Sequence, residues 1–266
     1  MREGKTVEYK ESINSNTFMK TISAYANYGD GEIIFGITDD GKTIGINDPV
    51  SACLNLENKI NDAINPVPEY SLDIQKDSTI ILTVYEGEYK PYLYKGKAYK
   101  RNDSSTVAVE RLEYNRLILD GRNMSFEENV SVNQELSFDK LETAFKDTMG
   151  IRKLNTDILK TLDLYSDKNG FNNAAALLAD KNHFKGIDII RFGDNIDEIM
   201  ERKTIEGVSI LTQLNECIQM FQSYYQYEKI QDTQRKKIDK IPEKAFREAI
   251  ANALVHLTWD VNASIK

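Results

Sequence analysis

The stretch from residue 24 to 45, Ala-Tyr-Ala-Asn-Tyr-Gly-Asp-Gly-Glu-Ile-Ile-Phe-Gly-Ile-Thr-Asp-Asp-Gly-Lys-Thr-Ile-Gly, constrains the fold more than any other part of this chain. It reads as a helix end, a tight glycine turn, a buried strand, a second turn and the start of another strand. Ile33, Ile34 and Phe35 are β-branched or aromatic and lie between Gly31 and Gly36, which predicts a central strand over residues 33–37. Asp40-Gly41 is a strong short hairpin signal, and residues 44–46 are expected to return as the partner strand. Carboxylates near the start of the chain, Glu3 and Glu8, and an aspartate at the strand end, Asp39, can converge in space.

Around this stretch the pattern alternates. A helix is expected over 17–28, another over 54–64, strands over 71–74 and 79–84, and a closing helix over 110–119. Pro66 and Pro68 end the second helix, because proline cannot continue it. Residues 121–135 are polar and read as a linker. Farther on, Phe138, Leu141, Ala144 and Phe145 have helical spacing, as do Ile158, Leu159 and Leu162. A short helix is expected over 174–178, a strand over 187–192 and a long helix over 202–227. Apolar residues in these rows are read as core. The expected class is α+β: an α/β N-terminal domain with a mixed sheet and β-hairpins, then a mostly helical part. The divisions are 1–120, a linker at 121–135, a helical domain at 136–240, and a last segment at 241–266.

Length and composition limit the function classes. With 266 residues the chain has ample material for one large or two ordinary cores. No long apolar run or signal segment appears, so neither a membrane span nor secretion is expected. Cys53 and Cys217 are far apart and have no ligand spacing, which fits a reduced cytoplasmic setting and gives no zinc motif. The two histidines, His183 and His256, leave little for histidine-based chemistry. A net charge of −8 weighs against phosphate binding over the whole surface. Locally the balance reverses. Between residues 90 and 101 stand Lys90, Lys95, Lys97, Lys100 and Arg101 with no acid, interleaved with Tyr92, Tyr94 and Tyr99. On a hairpin turning near Lys95-Gly96-Lys97 these form a basic, aromatic surface, or else a solvated edge guarded by lysines.

Several motifs in register carry a family resemblance: Glu3-Gly-Lys-Thr-Val-Glu-Tyr-Lys10, Ala24-Tyr-Ala-Asn-Tyr-Gly-Asp-Gly31, Phe35-Gly-Ile-Thr-Asp-Asp-Gly41, Lys90-Pro91-Tyr92 and Tyr99-Lys-Arg101. Residues 3–118 resemble the Schlafen/AlbA-type DNA-binding domain found in bacterial proteins described as transcriptional regulators or ATP-binding proteins. One departure is Asp30, where the family usually has glycine. The resemblance implies a nucleic-acid partner, DNA ahead of RNA, and admits a homodimer. Lys10, Lys90, Tyr92, Lys95, Lys97, Tyr99, Lys100 and Arg101 are then the expected binding residues. In nuclease-active Schlafen relatives three carboxylates align with Glu3, Glu8 and Asp39. The alternative function is therefore a metal-dependent endoribonuclease or endonuclease, with these three holding Mg²⁺ or Mn²⁺ to activate water. The plainer roles are a pairing of Glu8 with Lys10 and a turn cap for Asp39. Binding is the leading expectation.

The segment 241–256 reads as a helix with Pro242 near its start. Glu248, Asn252 and His256 share one face, and Phe246, Ile250 and Leu254 another. It is similar to the first nucleotide-binding helix of GHKL-type ATPases, in which the Asn holds magnesium and the Glu orients water. The later motifs of that family do not follow before Lys266, so ATP binding through Glu248 and Asn252 is expected only with a complete ATPase domain.

Overall fold

The fold is that of a computed structural model, which describes residues 3–38, 40–151, 153–231 and 234–266. It is a mixed α+β structure of two compact units, Met1–Ser125 and Phe126–Lys266.

The N-terminal unit runs β1 (Val7–Lys10), α1 (Phe18–Tyr28), β2 (Gly31–Phe35), α2 (Pro49–Ala63), β3 (Ile64–Asn65), β4 (Tyr70–Ile74), β5 (Ile80–Val84), β6 (Leu93–Tyr94), β7 (Tyr99–Asn102), β8 (Ser105–Ala108) and α3 (Arg111–Asp120). Its main sheet has the order β1-β2-β5-β4, with β1 parallel to β2 and the other pairs antiparallel. Residues 31, 33 and 35 of β2 are buried while 32 and 34 are less so, the period of two that a half-covered strand requires. Phe18, Met19 and Ile22 of α1, with Leu56 and Ile60 of α2, fill the space against Ile33, Phe35, Ile80 and Leu82. The Phe18 and Phe35 rings meet edge to face at 5.0 Å.

The glycine turn after α1 tolerates the aspartate. Gly29 alone takes the positive φ (136°), and Asp30 instead accepts the Glu86 N–H at 2.7 Å. A Cβ at Gly31 would run into the Tyr25 ring. The expected strand at 44–46 does not form. Thr38 N–H bonds Lys42 O at 3.0 Å, Ile37 bridges only Thr43, and β5 takes the antiparallel edge of β2. The second helix starts at Pro49 rather than 54, because Asp48 accepts the Ser51 N–H at 3.2 Å and proline suits the first turn.

The C-terminal unit comprises α4 (Asp139–Met149), α5 (Thr156–Thr161), β9 (Tyr165–Ser166), β10 (Gly170–Phe171), α6 (Asn173–Leu178), β11 (Ile187–Phe192), β12 (Ile199–Ile205), α7 (Ile210–Tyr225), β13 (Gln226–Gln231), β14 (Gln234–Asp239) and α8 (Glu243–Val255). Its strands pair as separate two-stranded hairpins. One cluster gathers Leu177, Phe184, Ile187, Ile205, Leu254 and Trp259; a second gathers Leu141, Leu159, Leu164 and Ala175.

Three sequence expectations change here. Residues 202–205 are strand, not helix, because β12 pairs along β11 and Ser209, accepting the Leu211 N–H, caps α7. Residues 226–231 and 234–239 form a hairpin where helix or loop was expected. The stretch read as a linker divides: from Phe126 it packs into the C-terminal unit, with Phe126 6.1 Å from Phe184 and the Ser131 N–H on Phe171 O at 2.8 Å. The last segment shares that unit's core, since Phe246 of α8 stacks on Phe221 of α7 at 4.7 Å. Among the described residues, no helix is long and apolar enough to cross a membrane.

Candidate nucleic-acid interface

Most motif residues of the N-terminal unit point inward and hold one another. Glu8 lies on β1 with its carboxylate buried. Oε1 meets Lys10 Nζ at 2.7 Å, and Oε2 accepts from Thr21 Oγ1 and Arg101 Nη1, each at 2.5 Å. Arg101 extends the clamp, donating from Nε to Gly4 O at 2.8 Å and from Nη2 to Val7 O at 3.3 Å. The pair is sealed: the Arg101 and Glu8 side chains are 3% and 7% exposed. Asn27 does the same for the Lys-Pro-Tyr segment. Its amide donates to Tyr92 O at 2.9 Å and accepts the Tyr92 N–H at 2.8 Å, while Ser23 Oγ donates to Tyr92 O at 2.7 Å. Tyr25, beneath the Arg101 guanidinium, is buried, and burial pushes its phenol pKa up despite the nearby cation.

This inward clamp redistributes the expected binding residues. Arg101 is committed to Glu8 and does not reach solvent. Lys90 bridges Glu86 and Asp120, both at 2.6 Å. Burial pulls its ammonium pKa down, but the two carboxylates outweigh it and the net shift is upward. Lys100 pairs with Glu113 at 2.7 Å and stays half-exposed. The Tyr92 and Tyr99 rings are buried, so neither offers a face for base stacking; both fill the core instead. Lys10 is engaged with Glu8.

Lys95 and Lys97 are the exposed cations of the set. They flank Gly96 in a tight turn, closed by Tyr94 N–H to Lys97 O (2.9 Å) and Lys97 N–H to Tyr94 O (3.1 Å), with positive φ at both Lys95 and Gly96. The expected turn at this position is therefore present.

Two further cations join them that the sequence reading missed. Lys20 of α1 stands 5.9 Å from the Tyr99 ring centre, and Lys95 stands 5.3 Å from Tyr94; the two rings are 6.4 Å apart. Lys59 of α2 shares with Lys95, Asn16, Met19 and Asp62 the wall of a hollow of about 370 Å³. The N-terminus of α1 opens beside it with no acid in its first turn, which leaves the positive end of the helix dipole uncompensated. The available signal was the position of Lys20 two residues after Phe18, on the polar side of an otherwise buried helix.

The carboxylates are disposed differently. Glu3 Oε1 accepts the Tyr9 N–H at 2.9 Å, and Glu8 is committed as above. Asp39 lies outside the described residues. Among the described residues, no group of three or more His, Cys, Asp or Glu side chains is arranged to hold a metal ion. A divalent cation at Glu8 would have to displace Lys10, Thr21 and Arg101, so the residues in view do not fit Mg²⁺ or Mn²⁺ and no chemical step is derived through one. In the C-terminal unit Glu248, Asn252 and His256 are exposed along α8, and Leu254 is buried on the opposite side.

Comparison with known proteins bears on the first unit. None of the curated proteins matches the chain. The DIP2311 protein from Corynebacterium diphtheriae is similar at 20% identity with a TM-score of 0.45, covering 98% of this chain; the chain spans 57% of that protein's length. The N-terminal domain of a RecG-related protein from Nitrosomonas europaea is similar at 25% identity and a TM-score of 0.30, over 42% of this chain and 85% of that domain. Residues 3–110, which hold the Glu8–Arg101 and Asn27–Tyr92 clamps, match the family model described as Schlafen, AlbA_2.

Proposed function

We propose that the N-terminal unit binds nucleic acid, DNA ahead of RNA, through Lys20, Lys59, Lys95 and Lys97. The observation that carries this reading is that Lys59 and Lys95 share the rim of one hollow, while Lys97 is exposed in the same turn as Lys95 and Lys20 is exposed on α1 over the neighbouring Tyr99 ring. Phosphate contacts need clustered cations, and this cluster supplies them on an otherwise acidic chain. The regulatory role that the family resemblance implies rests on such binding. The commitment of Glu8 to three partners favours binding over carboxylate–metal chemistry. Mn²⁺-dependent cleavage by the wild-type chain that is abolished by Glu3→Gln, whose amide oxygen can still accept the Tyr9 N–H, would reverse that choice.

The test is fluorescence anisotropy on labelled single-stranded and duplex DNA and RNA, beginning at low salt. Four phosphate contacts give a log-affinity against log-salt slope of up to about −3.6 on duplex and about −2.8 on single strands. A Lys20→Ala/Lys95→Ala/Lys97→Ala variant should lose most binding and flatten the slope. Unchanged affinity and slope in that variant would leave the lysines as a solvated edge and defeat the proposal. For Glu248 and Asn252 we expect no saturable micromolar binding of Mg-ATP by calorimetry, because one exposed helix face does not enclose a nucleotide.

A further inference from the structure

The hollow of about 370 Å³ that Lys59 and Lys95 border also contains an acid, Asp62, which phosphate binding does not explain. A carboxylate beside two lysines weakens the attraction of that pair for a phosphate. Asp62 does not serve its helix either. It lies in the last turn of α2, where the negative end of the helix dipole disfavours an acid. Nor does it hold another side chain. Among the described residues, neither the Asp62 carboxylate nor the Asn16 amide has a hydrogen-bond or ion-pair partner, and both residues are exposed.

The rest of the wall is apolar or cationic. Met19 and Tyr94, both buried, offer a thioether and a ring, surfaces that take the flat face of a base. Lys59 gives one N–H to Ile13 O at 2.8 Å and has two more to give. A small apolar lining with a few polar groups is the make-up of a small-molecule pocket, and the volume falls in that range, about 300–1,000 Å³.

Building on nucleic-acid binding by this unit, we propose that the hollow seats one unpaired base, guanine before the others, with its flanking phosphates on Lys59 and Lys95. An ionised carboxylate only accepts, so Asp62 selects a base edge that donates. Guanine N1–H and N2–H lie side by side and donate in parallel to its two oxygens, while the Asn16 amide can donate to O6. Adenine and cytosine present one amine beside an acceptor. Thymine sets its single N–H between two carbonyls, which the carboxylate repels. A base in a duplex has its edge paired and its faces stacked, and must be extruded before it can enter.

Fluorescence anisotropy at low salt tests this on the full chain. The probes are an all-dT strand, dT strands with a single central dG, dA or dC, and the dG strand annealed to its complement. The dG strand should bind at least about fivefold tighter than all-dT and at least about tenfold tighter than its duplex. Asp62→Asn should bring the dG and all-dT strands to within about twofold of each other. The two wild-type ratios need no variant and decide the matter even where Asp62→Asn folds poorly. Three results would each overturn the base site while leaving general nucleic-acid binding in place. These are equal affinity for dG and all-dT strands, a duplex held as tightly as the strand, and an Asp62→Asn variant that raises every affinity but keeps the ratio. No binding of any strand or duplex would instead defeat nucleic-acid binding itself, and the base site with it.

Discussion

Each unit contains a carboxylate tied to an arginine, and the two pairs are built oppositely. Glu8 and Arg101 are both sealed, and further hydrogen bonds from Thr21 and to Gly4 O and Val7 O satisfy what remains. Asp188 is buried at 4% exposure while its partner Arg202 is 59% exposed, reaching in with two bonds of 3.0 and 2.7 Å and joined by Thr204. In the first pair, losing one member strands a charge away from water. In the second, the arginine keeps its solvent and only the aspartate is orphaned. Similar chemistry therefore carries unequal consequences, and burial sets the difference.

The largest expected effect follows directly. Glu8→Gln should destabilise the N-terminal unit by roughly 3–5 kcal/mol, the cost of breaking a buried pair. The chain's one tryptophan, Trp259, is buried in the C-terminal unit. Urea unfolding followed by far-ultraviolet dichroism should therefore shift strongly, while the tryptophan transition stays in place. Equal shifts in both signals would mean the two pairs are not separable.

Asp188→Asn should give a smaller loss, seen this time by Trp259. Its sign with pH is fixed by the pair. Hydrogen bonding to Arg202 holds the Asp188 carboxyl below its usual range against the opposing effect of burial. A depressed folded pKa gives stability that is complete above the unfolded value near 3.9 and is lost as pH falls through the folded one. Acid titration should thus weaken the wild-type tryptophan transition below about pH 4, and the asparagine variant should show less of that dependence. Identical acid profiles would remove Asp188 as its source.

A smaller effect is expected at Asp180, which caps α4 from outside the helix by accepting the Asp139 and Lys140 N–H groups at 2.7 and 2.9 Å. Asp180→Ala should cost about 1 kcal/mol in urea unfolding; no change would mean that water replaces the cap at no cost. The smallest effect belongs to Lys97→Ala, where stability should change by less than about 0.5 kcal/mol while nucleic-acid affinity falls. A stability loss there would make Lys97 a structural residue and sharpen the boundary between clamp and interface.

The parts of the fold visible in the sequence were those where local pattern and burial agree. Ile33 to Phe35, apolar and bounded by glycines, could hardly be anything but a buried strand, and the spacing of Phe246, Ile250 and Leu254 announced α8 as a helix with one inner face. Residues 202–204, Arg-Lys-Thr, sit between helix-compatible neighbours, and only pairing with β11 makes them strand. The hairpin at 226–239 is mostly polar and carries little periodic signal. In the candidate site, charge counting found Lys95 and Lys97 but not which cations were already spent. Lys90, Lys100 and Arg101 looked equivalent to them in sequence, and the acidic partners Asp120, Glu113 and Glu8 come from elsewhere in the chain.

The Asn27 clamp has a consequence for which changes the N-terminal unit can absorb. Asn27 grips the main chain of residue 92 and ignores its side chain, donating and accepting in one planar contact. A grip on backbone is blind to the side chain held, so position 92 answers to the space its ring fills and to the Tyr89 N–H that its hydroxyl accepts at 3.4 Å. Position 27 has no such latitude. Aspartate lacks the donor, leucine lacks both groups, and glutamine places them one methylene too far. The tolerance of the two positions is thus lopsided: position 92 can take another residue of suitable shape that keeps its backbone N–H, and position 27 is matched by no other side chain in the genetic code.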